Sequence, residues 1–212
     1  MTVRECVVRG GTASEHIVQF FDSDESRAEC VAAFLADGIG AGEPAIVVAK
    51  PANWAAIVEQ LTAKGIAVQQ AISDGMIVVK DADDTLRRIC RNGSPAADAF
   101  ETVVAKGVAN LVHKSQGRRI RAYGEMVDLL AQRGELADAI KLEAMWNRLG
   151  ERVPFLLLCG YSAAHFVATA THRALREICA AHSSVHRHAQ DPLATWLLNS
   201  AHNAPGAAAI TH

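Results

Sequence analysis

The stretch that decides the fold is Arg118–Asn147, RRIRAYGEMVDLLAQRGELADAIKLEAMWN. Ile120, Ala122 and Tyr123 read as a short buried strand, Gly124 as an abrupt turn, and Glu125 as a carboxylate opening a helix. Arg133-Gly134 separates that helix from a second one carrying Glu143, Trp146 and Asn147. A strand that runs through Gly into a helix N-terminus leaves a charged side chain at the C-terminal edge of a sheet. Open α/β sheets collect ligands at that edge. Whether this edge is a working site is the functional question the sequence poses.

The same alternation extends in both directions. HIVQFF (16–21) is a strand rich in β-branched and aromatic residues, and a helix follows with Ala28, Val31, Ala32, Leu35 and Ile39 on one face. AIVVA (45–49) and MIVVK (76–80) are continuous apolar runs of the kind buried on both faces of a parallel sheet. Helices are expected over 52–64, after Asp81–Asp84, and over 96–116, with Pro95 placed for a first turn. IAVQQAIS (66–73) reads as a short strand or part of a turn, and RNGSP (91–95) as a break. VPFLLLCGY (153–161) is the most hydrophobic strand and should be central, with a last long helix over 163–181. This order predicts an α/β fold: three layers around a mostly parallel sheet of about five or more strands joined by right-handed crossovers. No internal repeat or domain boundary is visible. One domain is expected over 14–186, with 1–13 a leader and 187–212 a tail, both partly disordered.

The 212 residues are enough for one domain with a real core. Half are hydrophobic, 21% are charged, and the net charge is −2, which argues against a chain that holds nucleic acid through a general basic surface. Five scattered cysteines without a CxxC pair fit reduced thiols better than a disulfide framework. No apolar run reaches the ~18–20 residues of a membrane span, and the N-terminus lacks a signal-peptide core, so a cytoplasmic protein without a membrane partner is expected.

Several residues invite a chemical reading beside a structural one. The loop Asp22-Ser23-Asp24-Glu25 stands where a nucleotide-binding protein carries its phosphate cradle, yet neither GxxxxGK[ST] nor GxGxxG is present and three acids would repel a phosphate. The acids suit a metal or a cationic ligand, but a helix N-cap on the dipole explains them better, because Asp81–Asp84 repeats the pattern. Glu125 suits a general base or a water-positioning group, and equally an acceptor for exposed amides. Glu143, Trp146 and Asn147, three and four residues apart, share a helix face that either lines a pocket or packs on the sheet. His182, His186 and His188, with His172 a helix face away, form an HxxxHxH pattern that can converge on zinc, although no carboxylate completes the set nearby. No resident metal is therefore expected. Cys159 reads as a small buried hydrophobe without an adjacent base, and Lys114, Arg118, Arg119 and Arg121 as a solvated strand entry or a seat for an anion.

Seven segments taken in order resemble one family. FFDSDE after His16, AGEPAIVVAKP, GMIVVKDADDTL, RAYGEMVDLL, LEAMWNRL, PFLLLCGY and EICAAHSSV have the order and spacing of the MEDS domain. That is the methanogen/methylotroph sensory domain of a dichloromethane-responsive regulator and of bacterial signalling proteins. The resemblance covers about residues 14–186. It implies a RecA/KaiC-like topology without a functional phosphate loop, and a role in sensing small hydrocarbon derivatives. Its motif positions fall on His16, Tyr123, Glu125, Glu143, Trp146, Asn147 and Tyr161.

Together these readings give a non-enzymatic sensory module in transcriptional or signal-transduction regulation. A small organic ligand is expected at the C-terminal strand edge, near Asp22, Glu125, Trp146 and Tyr161. Because family members are often joined to an output module, a signalling protein partner or homo-oligomerisation is expected here. The competing readings are a pseudo-NTPase interaction module acting on a kinase or sigma-factor pathway, and a residual nucleotide-dependent enzyme using Glu125. No cofactor is expected, the alternatives being zinc at the His-rich end or a nucleotide.

Overall fold

The computed structural model describes residues 14–187 and 191–202. Eight strands form in chain order: β1 (Glu15–Phe21), β2 (Ala45–Ala49), β3 (Ile77–Asp81), β4 (Cys90–Arg91), β5 (Ser94–Pro95), β6 (Ile120–Gly124), β7 (Phe155–Ser162) and β8 (Ser184–Arg187). Six of them make one parallel sheet in the order β3-β2-β6-β7-β1-β8, while β4 and β5 form a separate hairpin. β7 sits between β6 and β1 and is buried from Phe155 to Tyr161, as its unbroken apolar run requires.

The helices are α1 (Asp24–Gly40), α2 (Pro51–Ala63), α3 (Val68–Ser73), α4 (Ala82–Ile89), α5 (Ala97–Phe100), α6 (Lys106–Lys114), α7 (Met126–Gln132), α8 (Leu136–Gly150), α9 (His172–Ala180) and α10 (Pro192–His202). A π-helical turn, Glu101–Ala105, joins α5 to α6 in one continuous rod. α1, α2 and α3 cover one face of the sheet, against Ile17, Phe21, Val47, Tyr123 and Leu158. α4 to α10 cover the other, against Val18, Phe20, Val48, Ala122, Cys159 and Tyr161. The strand period of two sorts neighbouring residues of β1 and β7 into these separate cores. The result is the three-layer α/β fold expected.

Four local expectations change. IAVQQAIS is neither strand nor turn, because Val68–Ser73 forms α3. RNGSP holds a two-residue hairpin turn, with Asn92 at φ 51° and Gly93 at φ 85°, the backbone that an Asn-Gly pair supplies. The long helix over 163–181 is broken into 3-10 turns at Ala163–Phe166 and Thr169–Thr171 before α9 begins. Three β-branched residues, Val167, Thr169 and Thr171, fall within this break and propagate a helix less well, and His165 is held 3.3 Å from Asp128. The fold also continues past residue 186. β8 adds an edge strand through Arg187, and α10 buries Ala194, Leu197 and Leu198 against the core. The expected leader, and the tail beyond 202, lie outside the described residues, as does His188.

Candidate functional site

The C-terminal edge holds a buried polar network. Glu125 is fully buried at the end of β6, and both its carboxylate oxygens are used. Oε1 accepts from Tyr123 Oη at 2.8 Å, while Oε2 accepts from the Lys50 amide at 2.9 Å and from Asn53 Nδ2 at 3.0 Å. Lys50 is the N-cap of α2, so Glu125 satisfies the start of a neighbouring helix rather than its own. Tyr123 reaches Glu125 beside Gly160, where a Cβ would come within 2.9 Å of the Tyr123 hydroxyl. Burial and the Glu125 charge push the Tyr123 phenol well up, against the opposing pull of Arg27.

Asp128, one turn into α7, joins the two faces at this edge. It accepts from the Ser162 amide at 2.7 Å and lies 3.4 Å from Lys50 Nζ, 3.5 Å from Arg27 Nη2 and 3.3 Å from His165 Nε2. Burial raises its pKa, but His165, Arg27, the Ser162 amide and Lys50 outweigh that and hold the carboxyl low. Arg27 is 2% exposed and lies over the Phe21 ring at 5.3 Å. The acidic loop divides its work. Ser23 caps α1 by accepting from the Ser26 amide, and Asp22 caps α10 by accepting from the Leu193 and Ala194 amides at 2.8 and 2.9 Å. The crevice beyond β1 and β7, where an NTPase receives phosphate, is thus lined by acids and closed by the N-terminus of α10.

A second buried network lies inside the α8 and α9 face, on the opposite side of the sheet from Tyr123 and running from His16 to Tyr161. Glu143 projects from α8 with no exposure. His16 Nε2 is 3.2 Å from Glu143 Oε2 and 3.2 Å from Cys159 Sγ, and Cys159 Sγ is 3.3 Å from Glu143 Oε2. His182, its side chain fully buried, brings Nε2 to 3.4 Å from Glu143 Oε1, and its ring centroid lies 4.0 Å from that of His16. Tyr161 Oη donates to Glu143 Oε1 at 2.7 Å. Burial alone would raise the Glu143 pKa, but the His182 charge and hydrogen bonds from both histidines hold it well below the usual carboxylate range. His182 is raised, because Glu143 outweighs the desolvation that would lower it. Burial and the neighbouring Glu143 push the Cys159 thiol and the Tyr161 phenol well up.

Two members of this network, His16 and His182, line an open cleft of ≈ 520 Å³ at the N-terminal end of β1 and β7, whose walls include Ser14, Trp146, Asn147, Gly150 and Ala181. Trp146 is 2% exposed and packs edge-on against Phe100 and Phe155, so its main job is the core. Asn147 bridges the cleft wall: Oδ1 meets His16 Nδ1 at 2.8 Å and Nδ2 donates to the Ala181 carbonyl at 2.8 Å.

The structure therefore splits the residues that the sequence grouped. Asp22, Tyr123 and Glu125 belong to the C-terminal edge, whereas His16, Glu143, Trp146, Asn147 and Tyr161 belong to the α8 side. Cys159 does have bases beside it, His16 and Glu143, contrary to the sequence reading. His182 joins His16 and Glu143 rather than His186, whose Nε2 meets Ser184 Oγ at 3.2 Å on β8. Arg121 and Arg119 are bound to Glu43 at 2.7 and 3.1 Å, so the basic cluster is a structural anchor at the start of β6. Sequence reasoning also missed Arg27 and Asp128. Alternation alone puts His16 and Cys159 on the faces that also carry Val18 and Leu157, but nothing in the sequence pairs β1 with β7.

The fold and these two networks define a three-layer α/β domain whose Glu125 and Glu143 carboxylates are both buried and held by its own side chains. The sequence matches the MEDS family, the MEthanogen/methylotroph, DcmR Sensory domain, over residues 15–183, and the chain belongs to that family. Among solved structures it is similar to a KaiC-like protein from the hyperthermophilic archaeon Pyrococcus horikoshii OT3, at 15% identity and a TM-score of 0.42. The match covers 71% of this chain and 62% of that one. No curated protein sequence matches the chain significantly. Among the described residues no helix is long and apolar enough to cross a membrane.

Proposed function

We propose that this domain is a non-enzymatic sensor that takes a small organic molecule in the cleft over His16, Asn147 and His182. One observation carries the reading: the open cleft is lined by two imidazoles, His16 and His182, that rest on a buried carboxylate and thiol. Burying such groups rarely adds net stability over apolar packing, so their presence beneath a cleft points to recognition. Membership of a sensory-domain family supports it. The filled C-terminal crevice argues against that edge as the binding place, and for a signal carried to a protein partner rather than a turnover.

Calorimetry of the full chain against a panel of one- and two-carbon halides, alcohols and amines tests the proposal, with Ala181→Trp as the blocked cleft. Ala181 lines the cleft, and its replacement removes no side-chain hydrogen bond. A compound that binds wild type and is lost in Ala181→Trp supports the reading. Binding that survives Ala181→Trp, or that is lost in Glu125→Gln instead, sinks it.

A further inference from the structure

His16, Glu143, Cys159 and His182 each offer one ligand atom, and the four atoms lie within 4.8 Å of one another. Three of them, His16 Nε2, Glu143 Oε2 and Cys159 Sγ, already form a triangle with edges of 3.2, 3.2 and 3.3 Å. A tetrahedral zinc with bonds of ~2.0–2.3 Å sets ligand–ligand edges of roughly 3.3–3.6 Å, so the triangle has close to the dimensions of one face of such a site. His182 Nε2 stands over it as the fourth corner.

The outer contacts point the same way. His182 Nδ1 is 2.6 Å from the Ile178 carbonyl, which can only accept, so Nδ1 keeps its proton there and Nε2 is the atom that can give up a proton and ligate a metal. Asn147 Nδ2 is committed to the Ala181 carbonyl, which leaves Oδ1 to accept the His16 Nδ1 proton and again frees Nε2. Tyr161 Oη fixes the orientation of the carboxylate. Metal-ligating histidines are held in this way, with the remote N–H given to a carbonyl or amide acceptor. His182 Nε2 is buried 3.4 Å from Glu143 Oε1, a long ion-pair contact in place of a well-formed hydrogen bond, which a bound cation would replace.

We propose that these four residues bind one divalent transition-metal ion, zinc by the chemistry of the donor set. Two neutral imidazoles, a carboxylate and a thiolate balance the charge of M²⁺, and the nitrogen, sulfur and oxygen set in near-tetrahedral spacing suits zinc. On binding, the Cys159 thiol proton leaves to solvent as the S–M bond forms. A proton on His182 Nε2, where present, leaves with it. The inference deepens the sensor reading, since two of the four ligands, His16 and His182, line the cleft proposed for an organic ligand, but it is tested without any organic ligand.

The full chain is stripped with chelator, reloaded with Zn²⁺ or Co²⁺, and measured by metal analysis, calorimetry and visible and near-ultraviolet absorption. The expected result is one ion per chain, tetrahedral Co²⁺ bands and a thiolate-to-Co²⁺ charge-transfer band. Cys159→Ser should abolish the charge-transfer band with the fold intact by circular dichroism. His182→Asn should weaken Zn²⁺ binding by at least about tenfold. His186→Ala, on β8 away from the four ligands, should change neither. Loss of metal on His186→Ala, a charge-transfer band that survives Cys159→Ser, or an octahedral Co²⁺ spectrum would overturn the site. So would a chain that retains no ion at all. If metal binds as described while no organic compound does, the sensor reading fails and the metal site stands.

Discussion

Two buried polar networks lie on opposite faces of one parallel sheet, and they differ in what surrounds their carboxylates. At the C-terminal end Glu125 uses both oxygens on the Lys50 amide, Asn53 and Tyr123, and Asp22 is spent on the amides of α10. On the α8 face Glu143 lies among His16, His182, Cys159 and Tyr161, and an open cleft reaches the two imidazoles from outside. The Glu125 carboxylate is fully committed to its own partners, although Arg27 Nε and Nη1 beside it make no hydrogen bond among the described residues, whereas the Glu143 group is the one that a cleft approaches. The edge where α/β sheets ordinarily bind has become structural here, and recognition is proposed where such a sheet is ordinarily closed.

The hardest test of that difference is Glu125→Ala. It leaves the Lys50 amide, Asn53 and Tyr123 without an acceptor in a dry interior, and should destabilise the fold by about 3–5 kcal/mol in urea titration. A loss under 1 kcal/mol would show that water already reaches this edge and that it is not closed. Glu143→Gln should be milder, about 1–3 kcal/mol. It should also lower the His182 pKa, because burial then acts on the imidazole with no anion opposing it. Proton NMR titration reads the shift, and an unchanged His182 would break the pairing inferred from their 3.4 Å separation.

Asp22→Ala removes the cap of α10 and should cost about 1 kcal/mol, with faster amide exchange confined to that helix. Exchange spreading into α1 instead would mean that Asp22 serves the helix after its own strand. The smallest effect is the pH dependence of the metal-free protein. The folded pKa of Glu143 is depressed, so its contribution is present above about pH 4.5 and is lost as pH falls through the folded value. That of His182 is raised, so its contribution is present below about pH 6.5 and is lost as pH rises through the folded value. Metal-free stability should therefore carry a gain from this pair between about pH 4.5 and 6.5 that Glu143→Gln abolishes. Stabilisation by added Zn²⁺ should run the other way and grow with pH, since the metal competes with protons for the same atoms.

Much of the fold was legible in the chain. The apolar runs at 45–49, 76–80 and 153–161 became β2, β3 and β7 because a strand covered on both faces has to be apolar throughout. The missing phosphate cradle was equally plain, since a phosphate loop is a local pattern of Gly and Lys. β8 was hidden because HSSVHRH carries no apolar alternation and extends only by pairing with β1. Glu125 was placed correctly at the end of its strand, but its partners lie 72 and 75 residues away in α2 and its cap.

What the sequence determined by itself was local: the strand and helix periods, Gly-rich punctuation, the family motifs and the want of a phosphate loop. Tertiary structure decided which of those residues meet. Placing β7 beside β1 puts Cys159 within 3.2 Å of His16 across 143 residues, and packing α8 and the end of α9 over them adds Glu143 and His182. Spacing along the chain encodes neither encounter, because strand order is fixed by which apolar faces bury best together. The Glu125 edge that looked like the working site was taken up in that packing, and the four side chains on the α8 side were brought together by it.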